Sequence, residues 1–202
     1  LNIKEMFKYI KKDEDLIYDE YINIISEENS YIRHWINGDI IMYKGNDFKI
    51  VINQSNIDYI EIIIKEEEKI FEINIPFNLN EKNRIMYIEK SIKELFKNNT
   101  KIILKDKLVY WSNKMNLKYN NVKIRDKKTN FGTCKPLSGD LSFNSRIIML
   151  SDSLIDAIIV HELSHLKYPN HSANFYNLVK KYIPKYDEYI KWLKENNNKL
   201  VL

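Results

Sequence analysis

The first half of the chain alternates apolar and polar positions, a pattern that predicts β-strands. Segments 40–52 and 57–64 are dense in Ile and Val, and alternate positions of 70–75 are apolar. The acidic stretch 65–68 separates the last two segments, so we expect them to pair as a hairpin. Pro76 lacks a backbone N–H and is expected to end the second of these strands.

Helical spacing takes over after residue 78. Asn78 and Asn80 are candidate caps for a helix whose apolar residues recur at every third or fourth position. A second helix is predicted over 102–117, and one or two more within 1–37. Short strands are predicted at 122–125 and 141–143, with a loop at 130–136 and a turn at 138–140 between them. These elements predict an α+β fold with small sheets and an N-terminal extension.

Composition narrows the class of protein without naming a function. Of 202 residues, 44% are hydrophobic and 30% are charged, a balance typical of folded soluble proteins. The net charge is +4 with Lys and Glu interspersed, so no sequence-specific nucleic-acid partner is expected. The chain has one cysteine, no start resembling a signal peptide and no apolar run of the roughly 20 residues that span a bilayer. We therefore expect a cytoplasmic protein that does not span a membrane.

Candidate chemistry is concentrated in one segment, since three of the four histidines lie between positions 161 and 171. The apolar spacing before them predicts a helix, and Ser153 with Asp156 three positions later matches a capping box at its start. On that helix His161 and His165 project from one face with Cβ atoms roughly 6 Å apart, so both can reach one cation. Glu162 is rotated about 100° around the helix, beside the cation.

The third histidine of this segment completes a candidate zinc site. Pro169 and Asn170 are expected to end the helix, and the reversal can return His171 to the same cation. Three neutral imidazoles leave one tetrahedral position for water, as in catalytic zinc sites. Zinc lowers the pKa of such water to about 7, so a neighbouring carboxylate can take its proton. The sequence predicts one Zn²⁺ ion, with Glu162 as the catalytic base. Its predicted ligands are His161, His165 and His171.

Several motifs carry a resemblance to a known family. Phe-Gly-Thr-Cys at 131–134 is similar to the family's Trp-Gly-Ser-Cys, and Leu-Ser-Phe-Asn-Ser-Arg at 141–146 to its Ile-x-Leu-Asn-Trp-Arg. The helix segment 158–166 and the steps Asn170-His171-Ser172 and Phe175-Tyr176 also match, with Tyr176 where Trp is usual. On these residues the chain resembles the YgjP-like metallopeptidase family, which is related to the SprT-like and WLM zinc-peptidase domains.

The resemblance implies a zincin-like core with an intact metal centre and a peptide substrate. It is strongest over 124–193 and extends weakly upstream to about Gly38. We therefore expect residues 1–37 to be an additional N-terminal segment and 38–202 the metallopeptidase domain, with a hairpin region at 38–76 and a catalytic part at 78–202. Three positions depart from the family pattern: Asn130 replaces an arginine, and Phe131 and Ser145 replace tryptophans.

Three further residues are candidates for substrate binding. The guanidinium of Arg146 suits an oxyanion, a carboxylate or a phosphate, and its alternative role is a structural ion pair. Arg125 belongs to a basic cluster with Lys127 and Lys128 that is either a phosphate site or a solvated face. Cys134 either lies near the site or is a small buried apolar residue.

Three functions fit these observations. The first is a zinc metallopeptidase that cleaves amide bonds. The second is a nucleoside triphosphate pyrophosphohydrolase, in which Arg125 and Arg146 hold the phosphates of a small nucleotide. The third is a zinc-bearing interaction module without turnover, with residues 1–37 docking a protein partner.

Overall fold

The structure of the chain is a computed structural model that describes residues 35–79, 81–126, 130–200 and 202. The helices predicted before residue 35, the cap at Asn80 and the side chains of Lys127 and Lys128 lie outside these residues. The elements that follow belong to one compact unit, Trp35–Leu202.

The first sheet has four strands in the order β1-β2-β4-β3. The strands are β1 (Ile40–Tyr43), β2 (Asn46–Ser55), β3 (Glu61–Lys65) and β4 (Ile70–Pro76). β3 and β4 pair antiparallel, so the predicted hairpin and the predicted end at Pro76 are confirmed. β2 and β4 pair parallel, which the alternating pattern alone does not reveal.

The turn between β1 and β2 connects this sheet to the segment before the histidine helix. Lys44 and Gly45 both have positive φ, at 49° and 75°, as a two-residue type I′ hairpin requires. Their backbone N–H groups donate to the carbonyls of Ile148 and Met149 at 2.8 and 2.9 Å. A Cβ on Gly45 would meet Ser151 at 2.7 Å, so the close approach requires glycine.

One long helix, α1 (Glu81–Met115), replaces the two helices predicted at this position. The prediction of a break was wrong because the helix contains no Gly or Pro, and its polar centre finds tertiary partners. Asn99 donates to the hydroxyl of Tyr43 at 2.9 Å, and the buried hydroxyl of Thr100 donates to the carbonyl of Ser145 at 2.7 Å. The apolar face of α1 packs on the first sheet, where Phe96 meets Phe71 edge to face.

The second sheet has three strands in the order β5-β7-β6. β5 (Val122–Arg125) and β7 (Asp140–Asn144) were predicted, whereas β6 (Gly132–Lys135) falls in the predicted loop. That prediction was wrong because four residues containing a glycine carry little alternation of their own. Pairing with β7, antiparallel and in register from Gly132 opposite Phe143, makes the segment a strand.

The chain ends in short helices that surround the histidines. A 3₁₀ helix (Ser145–Met149) leads to α2 (Asp152–Ser164), followed by α3 (Ala173–Tyr182), α4 (Tyr186–Asn196) and a 3₁₀ turn (Asn197–Lys199). The predicted α+β class, with the histidine helix and small sheets, is confirmed. Among the described helices, none combines the length and apolarity that would let it cross a bilayer.

Candidate active site

The helix α2 is buried on nearly all sides, which fixes the direction of the polar residues at its end. Nine of its residues are buried, including Glu162. Its N-cap is Ser151, without a side-chain cap bond, so the predicted capping box at Ser153 and Asp156 is wrong. Asp156 instead accepts bonds from Lys107 and Trp111 of α1, at 3.0 and 2.8 Å. This carboxylate joins α2 to α1, and the bonds explain its place on the helix without a contact to a histidine.

The structure brings the three histidines of the segment together. Nε2 of His161 lies 3.2 Å from Nε2 of His165 and 3.3 Å from Nε2 of His171. One ring nitrogen from each residue lies within 4.8 Å of the others. Three nitrogens about 2.0–2.1 Å from one tetrahedral ion would be about 3.3–3.4 Å apart. The separations of 3.2 and 3.3 Å therefore fit a single ion bound between the rings.

His171 reaches this position because α2 ends early. The last helical residue is Ser164, and its hydroxyl donates back to the carbonyl of Val160 at 2.7 Å. The helix thus ends before Pro169, where we expected the break. After the reversal, the hydroxyl of Ser172 accepts a bond from the N–H of Phe175 at 3.4 Å and caps α3, so His171 lies directly before a new helix.

A buried aromatic ring supports all three imidazoles. Phe175 is fully buried, and its ring centroid lies 4.9, 4.5 and 4.9 Å from those of His161, His165 and His171. Aromatic rings at such separations add packing energy and restrict each other's rotation. Phe175 therefore limits the directions in which the three imidazole rings can point.

Burial keeps two of the imidazoles uncharged at neutral pH. Burial, followed by the neighbouring histidines, lowers the pKa of His161 to about 3. The pKa of His165 is also lowered, with burial as the largest cause. Neutral imidazole is the form that binds metal. These two side chains can accept an ion at neutral pH without first releasing a proton.

Glu162 is buried beside the triad and packs against the strand β6. Glu162 is 5% exposed. A Cβ on Gly132 would lie 2.6 Å from both Cγ and Oε1 of Glu162. The carboxylate therefore occupies the space that a larger residue at position 132 would fill. This role of Gly132 was not predicted, although the glycine belongs to the Phe-Gly-Thr-Cys motif at 131–134.

A cleft of about 650 Å³ opens over these groups. The three histidines and Glu162 form part of its lining, and Gly132, Thr133 and Cys134 of β6 form another part. Apolar residues complete the lining, together with Lys194 of α4: they include Phe131, Ile158, Ile190 and Leu193. The cleft is bordered by an edge strand, because β6 has β7 on one side and no strand of the described chain on the other.

Only one of the three predicted substrate-binding residues lines this cleft. Cys134 does, and burial, followed by the charge of Glu162, raises the pKa of its thiol to about 11. Arg146 is buried and does not line the cleft; its guanidinium donates to the carbonyl of Leu200 and lies 5.6 Å from the ring centroid of Phe131. These contacts favour a structural role for Arg146. Arg125 is exposed at the end of β5, away from the cleft lining.

The positions that depart from the family pattern have local partners. Ser145 is buried, and its hydroxyl donates to the carboxylate of Asp126. The side chain of Asn144 donates to the carbonyl of Asn130 at 3.0 Å, and its backbone N–H donates to the carbonyl of Phe131 at 2.9 Å. These bonds hold the segment before β6 against the end of β7. No pattern in the sequence indicates these bonds.

Tyr186, the first residue of α4, is a further residue of the site that was not predicted. It is 3% exposed and lines the cleft, and its hydroxyl lies 2.5 Å from Nδ1 of His161. Burial is the largest cause that raises the pKa of this phenol above its usual value. The hydroxyl therefore stays protonated at neutral pH.

Part of the chain is similar to solved structures. Two solved structures resemble part of the chain: the metallopeptidase zymogens of Pyrococcus abyssi abylysin and of Methanocaldococcus jannaschii jannalysin. The first is 22% identical, with a TM-score of 0.42, over 46% of this chain and 93% of that chain. The second is 24% identical, with a TM-score of 0.41, over 46% and 95%. No curated protein matches the chain.

The family comparison covers nearly the whole sequence. The family model described as YgjP-like, metallopeptidase domain, matches residues 1–196. The match includes the segment 1–37 that we expected to be additional, and the division of the chain at residue 38 stays a prediction. The chain belongs to the YgjP-like metallopeptidase family.

Proposed function

We propose that this metallopeptidase is zinc-dependent and cleaves amide bonds with Glu162 as its general base. One observation carries the proposal. Three imidazole nitrogens converge at separations of 3.2 and 3.3 Å, next to a buried carboxylate and at the wall of a cleft. Metallopeptidases are hydrolases, and their metal and peptide substrate are what the family implies.

The set of donors favours one zinc ion. His161, His165 and His171 supply nitrogen only, and two of the rings are held neutral by burial. Imidazole ligands suit zinc, and three protein ligands with an open fourth position are typical of its catalytic sites. When bound, the ion supplies Lewis acidity, which lowers the pKa of water and polarises a carbonyl group.

The protein's own groups would then move the proton. The carboxylate of Glu162 would take a proton from the attacking water and return it to the departing amine. For these two transfers the carboxylate forms a hydrogen bond first to the water and then to the amine. Its burial beside Gly132 fixes the carboxylate in one place, so little reorganisation is needed during the reaction. The apolar lining from Phe131, Ile158 and Leu193 limits the water around it.

The edge strand β6 offers a way to bind the substrate. An extended peptide can add to the open edge of a sheet through backbone hydrogen bonds. Such a peptide would cross the cleft next to Glu162, because Gly132, Thr133 and Cys134 belong to both the strand and the lining. The nucleotide hydrolase has less support, since neither Arg125 nor Arg146 lines the cleft.

The experiment compares Glu162→Gln with the wild type and with Glu188→Gln, an exposed glutamate of α4. Zinc is measured in each purified protein after dialysis against zinc, and cleavage is measured on a mixed peptide library. We expect one bound zinc in all three proteins. Peptide cleavage should fall about 100- to 10,000-fold in Glu162→Gln alone, the usual contribution of a general base.

Three results would contradict the proposal. A wild type that retains no zinc would exclude the metal site. Equal cleavage by Glu162→Gln would exclude the assigned base. Release of pyrophosphate from nucleoside triphosphates, without peptide cleavage but dependent on Glu162, would replace the substrate class.

A further inference from the structure

His161 and His165 differ in what their second ring nitrogen contacts. Nδ1 of His165 lies 3.3 Å from the backbone carbonyl of Tyr168. Nδ1 of His161 lies 2.5 Å from the hydroxyl of Tyr186, a side chain 25 positions away. One contact is local and made by backbone, whereas the other depends on where α4 packs and on a single side-chain atom.

The geometry around Tyr186 holds its hydroxyl in place. The residue is 3% exposed and its ring lies within 19° of parallel to that of His161, with centroids 5.9 Å apart. The N–H of Tyr186 donates to the carbonyl of Ile183 at 3.0 Å, which fixes the start of α4. A buried, packed side chain loses little further entropy when it forms a hydrogen bond.

The metal-binding form of His161 determines the direction of this bond. A neutral imidazole has one N–H and one lone pair, so binding through Nε2 requires the proton on Nδ1. In that form Nδ1 donates and the oxygen of Tyr186 accepts. Without an acceptor, a buried N–H would be unpaired, which costs about 1–3 kcal/mol.

We propose that Tyr186 is a positioning residue that holds His161 in the Nδ1–H form, with Nε2 directed at the zinc ion. This inference rests on the proposed zinc site. The hydroxyl acts through His161 and does not itself bind the ion. Mutation of a group that accepts a hydrogen bond from a metal-binding histidine commonly lowers metal affinity 10- to 100-fold.

The chain provides a matched control in the same aromatic cluster. Tyr176 of α3 has its ring 6.4 Å from that of Tyr186 and 6.0 Å from that of His171. It is 38% exposed, and no hydrogen bond joins its hydroxyl to a described ligand histidine. Tyr186→Phe and Tyr176→Phe each remove one hydroxyl from a ring near the triad, but only the first removes the acceptor at Nδ1.

The test measures metal affinity, independently of peptide cleavage. Metal-free wild type and both variants are titrated with Zn²⁺ against a chromophoric chelator, and circular dichroism verifies that each is folded. We expect affinity to fall 10- to 100-fold in Tyr186→Phe and less than twofold in Tyr176→Phe. Equal zinc affinity in Tyr186→Phe and the wild type would overturn the inference while leaving the zinc site intact. Absence of zinc binding by the wild type would instead overturn the proposed function and this inference with it.

A second measurement uses the wild type and so does not depend on a variant that folds. Imidazole ¹⁵N spectra of the zinc-loaded protein should show His161 with its proton on Nδ1, protected from exchange with solvent. A proton on Nε2, or a metal-bound Nδ1, would overturn the inference even if Tyr186→Phe failed to fold.

Discussion

Replacement of Gly132 by alanine tests whether this glycine makes room for Glu162. The new Cβ would lie 2.6 Å from Cγ and Oε1 and 2.8 Å from Cδ of the carboxylate side chain. Non-bonded carbon atoms pack at about 3.5–4.0 Å, so Glu162 or β6 must move by about 1 Å. The backbone of Gly132 does not have a positive φ, and alanine can adopt its conformation. The perturbation is therefore steric and confined to this contact.

The expected effect is larger on catalysis than on stability. A misplacement of about 1 Å in a catalytic group can cost about 100-fold in rate, equivalent to about 2.7 kcal/mol. Overpacking costs about 1–3 kcal/mol of folding free energy, and the loss of glycine's freedom in the unfolded chain returns about 0.4–1. The net destabilisation of Gly132→Ala is thus about 0–2.6 kcal/mol.

The assay combines kcat/KM on a peptide substrate with urea unfolding, in a double-mutant cycle with Glu162→Ala. Gly132→Ala should lose about 100-fold in kcat/KM and retain its zinc. In the Glu162→Ala background the clash is gone, so the same change should no longer destabilise the protein. Wild-type kcat/KM in Gly132→Ala, or equal destabilisation in both backgrounds, would refute the steric argument.

Three other measurements test the contacts around the site. Asp156→Ala should lower the free energy of unfolding by about 1–3 kcal/mol, because it leaves Trp111 without its hydrogen-bond acceptor. We expect kcat to stay nearly unchanged. A fall in kcat at unchanged stability would indicate that Asp156 orients a histidine of the site. In metal-free protein the pKa of Cys134 is raised to about 11 from the ordinary 9.0, which should leave only about 0.1% of the thiol as thiolate at pH 8. Iodoacetamide should therefore alkylate this thiol slowly below about pH 10. Rapid alkylation at pH 8 would contradict the burial of the thiol beside Glu162. Zinc at about 100 times its Kd should add about 2.7 kcal/mol to the free energy of unfolding, which raises Tm by about 5–10 °C. A chelator should reverse this increase. An unchanged Tm would contradict the expectation that zinc binds the folded protein and not the unfolded chain.

The central pattern of the site could be predicted from the sequence because it is local. His161 and Glu162 lie on α2, and His165 is its C-cap residue in the helical conformation. The period of 3.6 residues alone therefore places the two histidines on one face and Glu162 beside them. The hairpin of β3 and β4 is equally local, since alternation and Pro76 define both the strands and their end. In each case the spacing along the chain is also the spacing in space.

Other features depended on partners that are remote in the sequence. α1 stays continuous through Asn99 and Thr100 because the hydroxyl of Tyr43 and the carbonyl of Ser145 accept the hydrogen bonds that these side chains donate. β6 is a strand because β7 pairs with it, although its four residues show no strand pattern.

The sequence by itself predicted the candidate site: three histidines and a glutamate between positions 161 and 171, within motifs that resemble those of the family. Only the tertiary structure decided how those groups are held. Gly132 meets Glu162, and Tyr186 meets His161, across distances in the chain that no periodic pattern encodes. Arg146 carries a charge suited to substrate, yet packing directs it to Leu200 and Phe131. Residue type and spacing set what a side chain can do, and the packing of distant elements sets what it contacts.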